Sequence, residues 1–161
     1  MRKKGKTSPP SCDWSLPEEK KPGGNEDRIY RYKGNYRWSG VRIERYKSDE
    51  GGWSAISRQV LIGNGGESAK FHLRYFEIAP GGYSSHEQHR HEHVVVCVRG
   101  KGKIIIGTKT HAVNHLDTVY VAPDTVHQLR NPYDEPFGFL CIVNARRDRP
   151  KLVPFASAKK G

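Results

Sequence analysis

The stretch from Gly81 to Gly100, GGYSSHEQHRHEHVVVCVRG, concentrates the residues of this chain that are able to do chemistry. It holds four of the eight histidines, His86, His89, His91 and His93, with Glu87 and Glu92 among them and a β-branched run directly after. Imidazoles and carboxylates at this density suit a divalent transition metal. An affinity tag would sit at a terminus in low-complexity company, not between a Gly-Gly turn and a valine-rich run. A helical zinc-protease pattern fails too, because Arg90 stands where the second histidine of His-Glu-x-x-His is required. Val94, Val95, Val96 and Val98 favour a strand, so the site belongs on β-structure.

The rest of the chain supplies strands to hold it. From Trp53 onward the segments SRQVLIG, KFHLRYFEIA, HVVVCVRG, GKIIIG, DTVYVA, VHQLRN and FGFLCIV are separated by Gly, Asn, Pro and Asp turn signals. No segment carries a helical period, and strands this short and this close together make a sandwich or a barrel. No internal repeat points to a propeller or solenoid. Residues 28–46, RIYRYKGNYRWSGVRIERY, alternate well enough for one or two short strands around Lys33, Gly34 and Asn35. Interleaved Arg and aromatics there are able to stack on bases, but an edge or subunit contact is the simpler reading.

Composition narrows the function classes. The formal charge of +11 is unevenly spread, with an excess of five over residues 1–50, one over 51–145 and five over 146–161. A nearly neutral centre argues against a nucleic-acid groove, and the basic ends read as a solvated fringe. Three cysteines, Cys12, Cys97 and Cys141, match no disulfide framework and suit a reducing, cytoplasmic setting. The charged N-terminus lacks a signal-peptide apolar core, and no run approaches the ~20 apolar residues of a membrane span. We divide the 161 residues into a polar, flexible arm (1–25), N-terminal strands packing on the barrel or on a partner subunit (26–58), a barrel (59–145) and a basic tail (146–161).

From about Val60 to Val143 the chain resembles the small single-domain cupins. The first cupin motif runs Gly, a spacer, His-x-His, three or four residues, Glu, six residues, Gly. Counted back from Gly100, its Glu falls on His93, its second His on His89 and its first His on Glu87, so one imidazole and the carboxylate have exchanged places. The second motif is matched by DTVYVAPDTVHQLRN through Pro123, His127 and Asn131, with Asp117 in place of its first glycine and one residue fewer between Pro123 and His127. The resemblance implies an all-β jelly-roll barrel with a metal in its mouth, held by Glu87, His89, His93 and His127. It implies one divalent transition metal per chain, Fe2+ or Mn2+ favoured, with Zn2+, Ni2+ or Cu2+ as alternatives.

Strand geometry constrains that set. An unbroken strand from 87 to 93 would separate its ends by ~20 Å, whereas ligands of one ion lie within a few ångströms of each other. The chain must therefore turn between His89 and His93, around Arg90, His91 and Glu92. Two other registers stay open: His86 with Gln88 looped out, or His91 in place of His89. Strand parity puts His72, Arg74, Phe76 and Ile78 on one face and Phe137, Phe139, Cys141 and Val143 on another. Arg74 is a candidate for a substrate anion and Cys141 for a second catalytic group, beside Glu87 as the one evident acid or base. Phe76 and Phe139 are candidates for the substrate pocket.

The resemblance implies a small organic, anionic, oxygen-chelating substrate and oxygen-dependent, dioxygenase-like chemistry. A non-redox isomerase, lyase or decarboxylase, in which the ion serves as a Lewis acid, is the second class, and a ligand-binding or sensing module the third. The aromatic strand at 28–46 implies a homodimer; neither nucleic acid nor membrane is an expected partner.

Overall fold

Alternation of apolar residues over short, turn-bounded segments folds, among the described residues, as eleven strands and no helix. The computed structural model describes residues 27–47 and 51–155; the arm expected over 1–25 and the end of the basic tail lie outside them. The strands are β1 (Glu44–Arg45), β2 (Ser54–Ile62), β3 (Phe71–Tyr83), β4 (Glu87–Gln88), β5 (His93–Arg99), β6 (Gly102–Ile106), β7 (Lys109–Val113), β8 (Thr118–Val121), β9 (His127–Arg130), β10 (Phe137–Asn144) and β11 (Lys151–Leu152). All pairings are antiparallel, in the order β11-β4-β9-β3-β10-β5-β8, with β2 also on β3 and the β6–β7 hairpin on β9. The sheet curls into the jelly-roll barrel that the sequence predicts.

The inward face of each strand is set by its alternation. Ile78, Val95, Ile104 and Val121 are fully buried on four different strands. Burial of each is worth about 1.5–3 kcal/mol, so a one-residue slip of any strand would cost that and turn polar groups inward. Gly100 (φ +61°) makes the β5–β6 turn, where a Cβ would also run into the Pro136 carbonyl oxygen. The β7 strand went unmarked in the sequence because four of its five residues, Lys109 to Ala112, face solvent.

The aromatic segment before the barrel packs on the barrel of its own chain. Tyr32 bridges Trp38, and Tyr36 stacks on Tyr75 of β3 with ring centroids 5.4 Å apart. The Tyr36 hydroxyl donates to the Val98 carbonyl oxygen at 2.8 Å. Ile29, Tyr32 and Ile43 stay exposed.

Candidate metal centre

The histidine stretch turns where ligand geometry requires. β4 ends at Gln88, β5 begins at His93, and Arg90 and His91 form a bend between them. Asp148 holds that bend: its carboxylate accepts the backbone N–H groups of Arg90 and His91 and, at 2.8 Å, the His91 Nδ1–H. Burial pushes the Asp148 carboxyl up, but these donors outweigh it and hold it well below the usual range. Across the bend, Asp124 (φ 58°) donates its N–H to the His89 carbonyl oxygen at 2.8 Å. Asp tolerates this left-handed conformation better than most residues, which lets the shortened Pro123–His127 turn close against the histidine segment.

Three imidazoles converge. Ligand atoms of His89, His93 and His127 all lie within 4.8 Å of one another. His93 opens β5, and His127 opens β9, where it pairs with Glu87 of β4. The tautomers follow from the neighbours: His89 Nδ1 is 2.7 Å from the His91 carbonyl oxygen and His127 Nδ1 is 2.8 Å from that of Thr125. A carbonyl only accepts, so each Nδ1 carries the proton and each Nε2 keeps a lone pair. The Nε2 atoms of His89 and His93 are buried without a hydrogen-bond partner. Burial first holds all three imidazoles below the ordinary histidine range, furthest for His93, where Arg74 adds to it. Neutral imidazoles with orphaned, convergent lone pairs fit a transition-metal ion.

The other expected residues divide. Glu87 lines the same cavity but is not part of the three-imidazole group; its Oε2 is taken by the ammonium of Lys47, which also donates to Ser85 Oγ at 3.0 Å. Cys141 lies 3.7 Å from His93 Nδ1 and accepts from Arg74 Nη2 at 3.4 Å. Phe76 and Phe139 stack at 5.4 Å and line the cavity with Arg74 and Cys141. His86 faces a different groove, with its Nδ1 2.6 Å from the Val153 carbonyl oxygen and its ring on Phe155. His91 is buried and stacks on His89 at 3.7 Å. It buttresses the group while lying outside it.

Three titratable cavity residues, and the acid that holds the bend, went unmarked in the sequence. Tyr46 and Lys47 sit far along the chain from either motif, and nothing local marks them. Burial, then the charge of Glu87, keeps the Tyr46 phenol well above its usual range and therefore protonated. Arg147 lines the cavity and Asp148 holds the bend. A signal for Asp148 was present: it is the only acid among residues 146–161.

Comparison with known proteins gives consistent results. The family profile of the Cupin domain matches residues 74–143. The 1-methylthio-D-xylulose 5-phosphate methylsulfurylase of Rhodospirillum rubrum is 42% identical over 130 residues, 80% of this chain and 82% of that protein. A solved cupin-2 domain from the same organism is 41% identical, with a TM-score of 0.68 over 79% of this chain and 84% of that one. A cupin 2 conserved barrel protein from Rhodopseudomonas palustris is 37% identical, with a TM-score of 0.73 over 80% and 88%.

Proposed function

The chain belongs to the cupin family, and from that premise we propose a metal-dependent enzyme acting on a small phosphorylated keto compound, of the kind named for its Rhodospirillum relative. The carrying observation is the convergence of three imidazoles, two of them with an unpartnered Nε2, on a cavity that is also lined by the Arg74 guanidinium and the Cys141 thiol. His89, His93 and His127 would hold one divalent ion, with iron and manganese the favoured metals. When bound, the ion supplies Lewis-acid polarisation of the substrate carbonyl. A site of three imidazole ligands would leave room for substrate oxygens.

This chain's own residues supply the rest. Cys141 sulfur attacks the methylthio sulfur: an S–S bond forms, the substrate C–S bond breaks, and its electron pair stays on the carbon beside the carbonyl. That carbon takes a proton delivered by the Lys47–Glu87 pair, with Tyr46 held as a neutral phenol beside it. A second thiol, from a small-molecule thiol reductant, then releases the methylthio group from Cys141 as a mixed disulfide. Phe76 and Phe139 exclude water from the reacting carbon.

The oxygen-dependent class expected from the sequence is tested by the same assay. Metal-loaded protein is given 1-methylthio-D-xylulose 5-phosphate and a thiol with and without oxygen. Thiol-dependent turnover at the same rate in both supports the reading; turnover that requires oxygen, with oxygen uptake, replaces it. We further propose a cytoplasmic homodimer: buried Cys97 and Cys141 carry free thiols, and Ile29, Tyr32 and Ile43 of the segment before the barrel are each exposed. A monomer by light scattering at micromolar concentration would remove the dimer. The arm at 1–25, if only a polar extension, is removable without loss of metal.

A further inference from the structure

One charge in the cavity is unanswered by the chemistry above. Arg74 projects from β3 into the barrel and is only 5% exposed. Among the described residues no carboxylate lies within ion-pair distance of its guanidinium. Its Nη2 donates to Cys141 Sγ at 3.4 Å, its Cζ lies 5.0 Å over the Phe76 ring, and its Nε has no hydrogen-bond partner. A thiol is a weak acceptor, and a guanidinium does not escape desolvation by losing its proton. A buried cation with such partners is costly unless an anion joins it.

A second cation shares the space. Arg147, from the segment after β10, lines the same cavity as Arg74. Burial, then the charges of Arg74 and Arg58, pushes Arg147 down to about 10. Arg58 is answered by Glu44, which accepts from its Nε at 3.0 Å and its Nη2 at 2.7 Å. Arg74 has no such acid, and a like charge in the same cavity increases the demand for an anion. Two guanidiniums match a dianionic phosphate in charge and in hydrogen-bond geometry better than they match a carboxylate.

We infer that Arg74, with Arg147 lining the same cavity, receives the phosphate group of the substrate, so that the carbon chain runs from this anion site to the three imidazoles. The inference rests on the proposed function for the identity of that chain, but not for the anion site itself. Arg74 is then a binding residue that holds the anionic end of the substrate.

Inorganic phosphate is the probe, titrated calorimetrically into metal-free protein and used in thermal melts against acetate at equal ionic strength. Wild type is expected to bind phosphate and to melt higher in its presence, with acetate producing a smaller shift. Arg74→Met should weaken phosphate binding at least about tenfold, the loss expected for charge-assisted hydrogen bonds. Its Tm without phosphate should be equal to or above wild type, because an unpaired buried cation has gone. A purely structural Arg74 would instead lower that Tm. Arg147→Gln should weaken phosphate by a smaller factor, about threefold to tenfold. Phosphate binding unchanged in Arg74→Met overturns the inference, and so does acetate binding as well as phosphate. The two readings separate cleanly. Arg74-dependent phosphate binding without turnover of the methylthio ketose phosphate sinks the proposed function alone; turnover with phosphate binding indifferent to Arg74 sinks this inference alone.

Discussion

The two ends of the barrel are built from the same strands and are finished differently. At the closed end, β5 and β10 turn Cys97 and Phe137 inward, both fully buried. Cys97 Sγ reaches the carbonyl oxygens of Arg99 and Gly100 at 3.7 and 3.5 Å, and burial pushes its thiol up. At the open end the same strands turn His93 and Cys141 inward, and the buried atoms His89 Nε2, His93 Nε2 and Arg74 Nε have no partner. A fold of this size satisfies nearly all its buried polar groups. Three of the five unpartnered buried side-chain atoms among the described residues gather at this end, the others being Gln59 Oε1 and Gln128 Oε1, and that gathering marks where a ligand completes the structure.

The two cysteines give the sharpest way to break that comparison. Cys141→Ser is expected to lower kcat by about three orders of magnitude, since a hydroxyl is a far poorer nucleophile towards sulfur. Cys97→Ser should leave kcat within a few-fold and lower the melting temperature instead, by placing a hydroxyl in the apolar core. Steady-state kinetics and melts on both variants check this. Equal kinetic effects would erase the distinction between the ends.

The bend comes next in size. Asp148→Asn keeps the side chain's size but removes the charge that organises Arg90 and His91. Metal affinity should fall about 10- to 100-fold, the range for groups that orient ligands, as read by competition with a chelator. His91→Ala should have a smaller effect of the same sign, because the His91 carbonyl that orients His89 survives. His86→Ala should leave affinity within a few-fold, since that ring faces Val153 and Phe155.

The smallest expected effect is on pH dependence. His72 is pushed down to about 4, by burial first and then by Arg147 and Arg74, from an ordinary value of 6.5. Its folded value lies below its unfolded one, so between pH 6.5 and 4 the unfolded chain binds protons that the folded chain refuses. Stability must fall as pH drops through that window. Calorimetry on metal-free protein should show a falling melting temperature from pH 7 to 5, and His72→Gln should lessen the slope in part, the remainder coming from His89, His91, His93 and His127, which burial also holds down.

Much of the fold was legible because antiparallel strands write their faces into alternation. Val95 and Cys97 are fully buried between partly exposed neighbours, as a period of two requires. The candidate site was legible where spacing along one segment carries it: counting back from Gly100 reached His93 and His89, and the geometry brings both together with His127. The Lys47–Glu87 pair was not legible, because forty residues separate its members and only the closed barrel brings them together. Asp148 was hidden in a tail that reads as solvated charge. The aromatic segment was open to cover by the barrel or by a partner subunit, because alternation alone does not say which surface meets it; Tyr36 and Trp38 pack on Tyr75 of the same chain.

We propose that three imidazoles hold the metal while Glu87, tied to Lys47, does not. Element analysis of wild type, Glu87→Gln and His93→Gln, each purified without chelators and reconstituted with manganese or iron, tests it most directly. The expected result is about one ion per chain in wild type and in Glu87→Gln, and little or none in His93→Gln, where the loss of a ligand lowers affinity well beyond the 10- to 100-fold typical of orienting groups. A Glu87→Gln protein that emerges empty while His93→Gln stays loaded would contradict it and return the carboxylate to the metal.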